Sequence, residues 1–393
     1  MVLVLYRKYR PKSFGEVVGQ EHVVTTLKNA LALNRVGHAY LFAGPRGTGK
    51  TTVARLLAKA VNCAELSGKP ASAGEPLTAR ASAEAASEGG LPFQEACNAC
   101  IHCTAILEGR HPDLVEIDAA SNRGIDEIRQ LKESVRVVPM QARMKTYIID
   151  ETHMLTEPAF NALLKTLEEP PPHAMFVLAT TEINKVPATI QSRTQRFDFK
   201  TVPLPKIVAR LATIVAAEQA DVSPKALELI AQAADGSMRD AESMLEQILA
   251  FSGGAVSEQE AIAILGLADL AILQTIVAAL AQKDAGKAIA AINNAMEHGV
   301  DATHLAIAVA SYLRDILLLS LDAKLEELLL RRAGAGYVEA AKQHANLFSP
   351  QELAAIIPKI VDALELTKRS PVPQLPLELA IMEITHTDSV PLS

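Results

Sequence analysis

The first 200 residues alternate short apolar runs with longer stretches in which apolar residues recur three or four positions apart. A short continuous apolar run predicts a strand buried on both faces, and the longer stretches predict helices. This alternation is typical of a parallel sheet covered by helices. The predicted strands are HAYLFAG (38–44), HPDLVEID (111–118), KTYIID (145–150) and AMFVLATT (174–181).

From about residue 203 onward the pattern is helical and contains no convincing strand. Segments 223–234 and 237–251 each carry one apolar face, and SEQE at 257–260 predicts a capping box that opens the next helix. After about residue 267 the helices become longer and richer in Ala and Leu. The predicted domains are an α/β domain (1–202), a small helical domain (203–266), a larger all-helical domain (267–386) and a linker or tail (387–393).

Composition adds three expectations. Residues 67–91 are rich in Ala, Ser, Gly and Pro, so they cannot bury enough surface to offset ordering, and we predict a flexible insertion. No run of 18 uncharged apolar residues exists, so we expect no membrane span. The N-terminus is apolar and then basic, the reverse of a signal peptide, so we predict a cytoplasmic protein.

Charge is distributed unevenly along the chain. The net charge of −7 combines +8 in residues 1–60 (ten Lys and Arg against two Asp and Glu) with −10 in residues 201–393 (14 against 24). A basic first segment suits a polyanion such as a nucleotide or a nucleic acid. A solvated basic surface explains the same charge about equally well.

The stretch GPRGTGKT at 44–51 fits the phosphate-loop pattern G-x-x-x-x-G-K-[ST]. It follows a predicted strand and opens a predicted helix, so a simple glycine-rich turn is the weaker interpretation. Lys50 would reach the β- and γ-phosphates, and the Thr51 hydroxyl would ligate Mg²⁺. The predicted nucleotide-binding residues of this loop are Gly44, Pro45, Arg46, Gly47, Thr48, Gly49, Lys50, Thr51 and Thr52.

Two acids end the predicted strand at 145–150, where a phosphate loop needs a carboxylate. Asp150 would hold Mg²⁺ through its water shell, and Glu151 would polarise the attacking water. Paired acids at a helix start are the alternative interpretation. A polar side chain ending the next strand could contact the γ-phosphate, and we choose Thr181 over Thr180, although threonines often end strands.

Three of the four cysteines lie within seven positions, at Cys97, Cys100 and Cys103. Thiolates three and six residues apart can converge on one metal, and C-x-x-C is a common half of a zinc site. Unrelated core cysteines are the alternative. His102 and His111 are weaker candidate ligands for the remaining position.

The order of these motifs resembles one family, the gamma/tau subunits of bacterial DNA polymerase III. Those subunits are the AAA+ motors of the sliding-clamp loader. Specific motifs carry the resemblance over residues 1 to about 270, and the helical remainder matches only in general character. The motifs are YRKYRPKSFGEVVGQEHV, HAYLFAGPRGTGKTT, the cysteine cluster, IIDETHMLTEPAFNALLKTLEEPP, LATTEINKVPATIQSR and GSMRDAESMLEQ.

The resemblance implies further site residues. Arg193 would act as an arginine finger in a neighbouring subunit's ATP site, and Arg239 would sense ATP in its own subunit. Residue 194 is Thr where the family usually has Cys, but the preceding arginine is retained. The adenine pocket would include Tyr6, Arg10 and Val18.

The same resemblance implies a zinc module inserted at 63–103, with Cys63 as the fourth ligand. Here 33 residues separate Cys63 from Cys97, whereas the family's loop is short. Loop closure costs only the logarithm of length, so the insertion is compatible with an intact site. The implied cofactors are therefore ATP, Mg²⁺ and Zn²⁺.

The implied fold is an α/β P-loop AAA+ domain, a helical lid and an all-α collar. The implied function is an ATPase motor within the DNA polymerase III holoenzyme that loads the sliding clamp on primer–template DNA. Homologous subunits would form a pentamer, and DNA would be held through its phosphates. Arg123 and Arg129 are candidate DNA contacts, although a solvated helix charge is equally compatible.

Two alternatives remain open at this point. An AAA+ branch-migration helicase should lack the cysteines and form hexamers. A non-hydrolysing scaffold subunit of the same loader should have a degraded phosphate loop, whereas this loop is intact.

Overall fold

The computed structural model describes residues 4–67, 94–251, 254–266, 269–322, 325–333 and 335–386. Within these ranges one five-stranded sheet is present, and every pairing in it is parallel. Its strands are β1 (Ala39–Ala43), β2 (Leu114–Asp118), β3 (Lys145–Asp150), β4 (Ala174–Thr180) and β5 (Gln195–Asp198). The order across the sheet is β2-β3-β4-β1-β5.

Helices cover the sheet and are the main element in the rest of the described chain. Those of the first half are α1 (Leu5–Lys8), α2 (Glu21–Ala32), α3 (Lys50–Asn62), α4 (Ala64–Ser67), α5 (Ile101–Leu107), α6 (Ile125–Arg136), α7 (Glu157–Glu168) and α8 (Ala188–Gln191). Those of the second half are α9 (Leu204–Ala217), α10 (Pro224–Ala233), α11 (Met238–Phe251), α12 (Glu258–Leu265), α13 (Leu270–Ala281), α14 (Ala285–Glu297), α15 (Ala302–Leu321), α16 (Leu325–Ala333), α17 (Ala335–Ala345), α18 (Pro350–Thr367) and α19 (Leu375–Thr385).

The four predicted strands are confirmed, with two corrections. β2 was expected to be buried, but it lies at an edge of the sheet, and several of its side chains are partly exposed. β5 was not predicted, because Phe197 is the only buried residue among its four and no apolar run marks it. It pairs with β1 and completes the other edge.

The central strands are buried because both faces of the sheet are covered. Tyr40 and Phe42 of β1 pack on one face with α2 and α3. Leu41 points to the other face and joins a core with residues of α6 and α7. Because the strands are parallel, the carboxyl ends of β1, β3 and β4 meet at one edge, where the candidate site lies.

The chain divides into two compact units. The first runs to Arg210 and also includes Asp235–Ser243, and the second comprises Leu211–Ala234 and the chain from Met244 onward. The start of α11, which carries Arg239, therefore belongs to the same unit as the phosphate loop. The domain boundaries predicted at 202, 266 and 386 stay predictions.

The second unit has a helical core contributed mainly by α13, α14, α15, α18 and α19. The predicted capping box is confirmed, since Ser257 Oγ accepts from the Glu260 amide at 3.3 Å and Glu260 accepts from the Ser257 amide at 2.8 Å. In the described residues α15 is long and apolar enough to span a membrane, with a mean hydropathy of 1.5. Its residues Val309 and Leu313 lie in the helical core, and interior helices share this composition.

Two predicted segments fall mostly outside the described residues. Of the insertion predicted at 67–91 only Ser67 is described, and the tail predicted at 387–393 lies wholly outside.

Candidate functional site

The phosphate loop connects β1 to α3, as its sequence predicts. Gly47 has φ +73°, and a Cβ there would lie 1.9 Å from Ser237 Oγ, so a side chain would both strain the backbone and clash. Gly49 has φ +98° and forms the N-cap of α3. Glycines in this conformation allow a loop to turn its backbone N–H groups inward, and the positive end of α3 begins here, a combination suited to phosphate.

Lys50 begins α3 and is only 6% exposed. Its ammonium donates to the carbonyl oxygens of Gly44 and Pro45, each at 2.8 Å. Burial lowers the pKa of Lys50, while the carboxylates of Glu151 and Asp150 act in the opposite direction. The cation is thus held on the inner side of the loop.

Asp150 ends β3 directly beside the loop. Its Oδ2 accepts from Thr51 Oγ1 at 2.7 Å, although 99 residues separate the two in sequence. Hydroxyl and carboxylate oxygens are the ligands that Mg²⁺ prefers, so this pair fits a magnesium site.

Glu151 has an unusual backbone, with φ and ψ both +45°. Such strain in a non-glycine residue clusters at functional sites. Its Oε2 accepts from Thr181 Oγ1 at 3.1 Å, which places the chosen threonine beside the proposed base. Thr180 is fully buried and contacts His153 instead.

His153, two residues after Glu151, lies between two carboxylates. Its Nδ1 is 3.5 Å from Glu151, and its Nε2 is 3.3 Å from Glu182. Nothing in the sequence around residue 153 indicates this placement.

Lys50, Thr51, Asp150 and Glu151 line one cavity together with the N-terminal segment and the start of α11. Tyr6, Arg10 and Val18 lie on its wall, as does Arg239. The Arg239 guanidinium carbon is 4.8 Å from the centroid of the Tyr6 ring. A hydrogen bond from Arg239 lowers the pKa of the Tyr6 phenol.

Sequence reasoning missed a buried charge pair on the same wall. Arg210 Nε is 3.6 Å from Glu242 Oε1, and the Glu242 side chain is only 8% exposed. Arg210 also donates to the Tyr9 carbonyl oxygen. Burial raises the pKa of Glu242 to about 7, although Arg210 acts against it.

This pKa predicts a pH dependence of stability. Because folding raises it from 4.5 to about 7, the group stabilises the fold at low pH, and that stabilisation is lost as the pH rises toward and through 7. Between pH 5 and 8 the free energy of unfolding should fall in the parent, relative to Glu242→Gln, by about 2–3 kcal/mol. Denaturant titrations at both pH values test this. The exposed control Glu228→Gln should track the parent, and equal slopes for parent and Glu242→Gln would contradict it.

Of the predicted residues that the structure describes, Gly44, Pro45 and Thr181 belong to the site elements but are not among the residues that line this cavity, and neither are Arg193, Arg129 and Arg123. Arg193 pairs with Glu168 at the end of α7 and donates to the Thr189 carbonyl oxygen at 2.7 Å. Arg129 pairs with Asp126 on the exposed face of α6, and Arg123 donates to the Ala120 carbonyl oxygen at 2.9 Å.

The four cysteines come together as the sequence reading requires. The Sγ atoms of Cys63, Cys97, Cys100 and Cys103 all lie within 4.8 Å of one another. The 3.9 Å between Cys97 and Cys103 is close to the edge of about 3.8 Å expected for thiolates bound tetrahedrally to zinc. His102 and His111 contact each other at 3.0 Å and are not members of this group.

The thiols occupy unequal environments. Burial raises the pKa of the Cys103 thiol. Burial acts in the same direction on Cys97, but N–H donors from Ala99 and Cys100 outweigh it and lower that pKa to about 7. A closed set of four sulfurs fits a structural zinc site better than a catalytic one, which keeps a position open.

Family models cover most of the chain. Residues 19–87 and 66–203 match "DNA polymerase III, delta subunit". Residues 206–254 match "DNA polymerase III clamp loader subunit, ATPase lid domain", and residues 256–392 match "DNA polymerase III subunits gamma and tau domain III".

Curated relatives agree with these models. The DNA polymerase III subunit tau of Bacillus subtilis is 41% identical over 98% of this chain, which spans 63% of that protein. The Escherichia coli subunit tau is 42% identical over 81% of this chain, which spans 46% of it. The subunit gamma of Buchnera aphidicola from Acyrthosiphon pisum is 37% identical, with 80% of each chain covered.

Among solved structures, the Thermotoga maritima RuvB Holliday junction branch migration motor is 17% identical, with 69% of this chain and 79% of that chain covered. Its TM-score of 0.46 supports no functional conclusion. The family models and the curated relatives show instead that this chain belongs to the gamma/tau family of bacterial DNA polymerase III subunits.

Proposed function

We propose that this chain is the ATP-hydrolysing motor subunit of a bacterial clamp loader, within the DNA polymerase III holoenzyme. The supporting observation is that Lys50, Thr51, Asp150, Glu151 and Arg239 line one cavity. A scaffold subunit would not need this complete set.

Each residue has a distinct task in this proposal. Lys50 and the loop amides would bind the β- and γ-phosphates, and Thr51 with Asp150 would hold Mg²⁺, whose charge would offset that of the phosphates. Glu151 accepts the proton of the attacking water, and Thr181 orients that carboxylate. Arg239 leaves Tyr6 and pairs with the nucleotide of its own subunit.

The proposed partners follow from the family. The chain would assemble with other clamp-loader subunits, as a pentamer, and would bind the sliding clamp. Arg193 would leave Glu168 and enter the ATP site of the adjacent subunit. Primer–template DNA would be held through its phosphates by Arg123 and Arg129, and the protein would act in the cytoplasm.

Glu151 provides the test of this function. Glu151→Gln should retain ATP binding but lower the rate of hydrolysis by about 10²- to 10⁴-fold, because the base is lost. The assay is clamp- and DNA-stimulated phosphate release by the assembled loader. Glu157→Gln, an exposed change on α7, is the matched control. Hydrolysis by Glu151→Gln at the rate of this control would contradict the proposal.

We further propose that the four cysteines hold one structural zinc ion. Structural zinc contributes roughly 10–16 kcal/mol of apparent binding free energy, so Cys100→Ser should lose the metal and destabilise the first unit. Metal analysis and thiol titration of the purified protein measure this. His102→Ala should keep its zinc, because that ring lies outside the cysteine group. Four freely titrating thiols in the parent would contradict the assignment.

A further inference from the structure

Part of the cavity wall is supplied by the N-terminal segment. Arg10, Pro11, Val17 and Val18 line it, and these four residues are called the base wall here. Between them lies a short 3-10 helix, Phe14–Glu16, whose N-cap residue Ser13 provides no side-chain cap. The first N–H groups of such a turn need an acceptor from elsewhere.

That acceptor comes from the cysteine module, defined as residues 94–103 together with Cys63. The carboxylate of Glu95 accepts from the Phe14 amide at 3.1 Å and from the Gly15 amide at 3.2 Å. Lys28 of α2 completes its partners at 2.9 Å. Hydrogen bonds to an ionised carboxylate are the stronger kind, so this capping carboxylate fixes the turn firmly.

A second connection runs through α3. Lys59 is 2% exposed, and its ammonium donates both to the Lys12 carbonyl oxygen and to Asn98 Oδ1. Asn98 lies within the Cys97–Cys100 turn and has φ +57°. A buried ammonium needs hydrogen-bond acceptors, and here they are Lys12, next to the base wall, and Asn98 of the cysteine module. One donor therefore connects the two.

The module has little regular structure before α5 begins. Residues 94–97 have no regular secondary structure, and the small core of the module consists of Cys63, Ala96 and Cys103 with a few partly buried neighbours. Within this backbone the Cys97 amide donates to Cys63 Sγ and the Cys100 amide donates to Cys97 Sγ, so the sulfurs hold the turn that contains Asn98 and directly follows Glu95.

We propose that the cysteine module positions the base wall, with Glu95 as the positioning residue, so that binding of the nucleoside part of ATP depends on an intact module. The phosphate loop takes no part in the hydrogen bonds of Glu95 and Lys59 given above, so its binding of the phosphates should not depend on them. The inference rests on the proposed ATP site, and it assigns the metal module a task in nucleotide affinity beyond local stability.

Calorimetric titration of the full chain with Mg²⁺-ATP and with Mg²⁺-tripolyphosphate, which lacks a base, separates the two contributions. Glu95→Ala should raise the Kd for ATP by about tenfold and change that for tripolyphosphate by less than about twofold. Glu95→Gln, which keeps one acceptor oxygen, should fall between parent and alanine variant, and it decides the matter if Glu95→Ala does not fold. Glu108→Ala, an exposed acid at the other end of α5, is the control and should match the parent.

A second background tests the dependence on the cysteines, at a temperature at which circular dichroism shows the variant chain to be folded. In Cys100→Ser the tripolyphosphate Kd should stay near the parent value, and adding Glu95→Ala should change the ATP Kd by less than about twofold, because the carboxylate has already lost its position. A Cys100→Ser chain that is folded but binds no tripolyphosphate contradicts the inference, because the module would then support the phosphate loop as well.

The remaining outcomes overturn the inference. Unchanged ATP affinity in Glu95→Ala would do so while leaving the ATP site in place. Equal losses for ATP and tripolyphosphate would mean general loosening. Independent, multiplying effects of the two substitutions would break the connection to the cysteines. A parent chain that binds no ATP would remove the proposed function and this inference together.

Discussion

Replacing Lys50 by alanine should abolish ATP hydrolysis while leaving the first unit folded. Lys50 directs its charge into the loop, where its ammonium donates to the carbonyl oxygens of Gly44 and Pro45. Removing one preorganised donor to developing charge costs about 10²- to 10³-fold in rate, and loss of phosphate binding adds to this. Phosphate release and ATP titration measure the two effects separately.

The matched control is Lys165→Ala, which removes an exposed lysine from α7. It should hydrolyse ATP at the parent rate. The thermal unfolding midpoint of Lys50→Ala should lie near that of the parent when no nucleotide is added. Hydrolysis by Lys50→Ala near the parent rate would remove the phosphate-loop assignment.

Replacing Arg193 by alanine should leave ATP binding nearly normal but slow hydrolysis by roughly 10³- to 10⁵-fold, as for an arginine finger. That corresponds to about 4–7 kcal/mol of barrier, far more than its exposed ion pair with Glu168 would supply. A planar guanidinium meets the charge on the γ-phosphate through two N–H groups, which lysine cannot do. Arg196→Ala, which removes the neighbouring surface arginine on β5, is the control.

Mixing shows whether Arg193 serves another subunit. Assemblies that exchange subunits between Arg193→Ala and Glu151→Gln should regain some hydrolysis, because one type of interface then combines an intact base with an intact finger. The signal is phosphate release across mixing ratios. If the mixtures only average the two defective rates, the finger does not act in trans.

The strands, the phosphate loop and the acids that follow β3 could be predicted because each is encoded by a contiguous motif. Mostly apolar runs mark β1, β3 and β4, and the glycines of the loop mark the turn that follows β1. The same motifs place Thr51 beside Asp150 once the strands are taken as parallel. Thr181 was a weaker choice, because threonines often end strands. The structure places its hydroxyl 3.1 Å from Glu151 Oε2, just after the end of β4.

Other features depend on distant residues and left no local signal. Glu95 and Phe14 are 81 positions apart, and a carboxylate capping a remote turn resembles any surface acid in sequence. Glu242 follows Arg239 in an amphipathic helix, where its burial beside Arg210 cannot be seen. β5 escaped prediction because an edge strand exposes most of its side chains.

The central claim is that hydrolysis at this site drives clamp loading. Its most direct measurement follows a fluorescent sliding clamp on primed DNA after mixing with ATP and a loader containing this chain. The parent should bind the clamp, deposit it on the DNA and dissociate, whereas Glu151→Gln should bind the clamp and the DNA and retain both. Equal rates of clamp release by the two proteins would contradict the account.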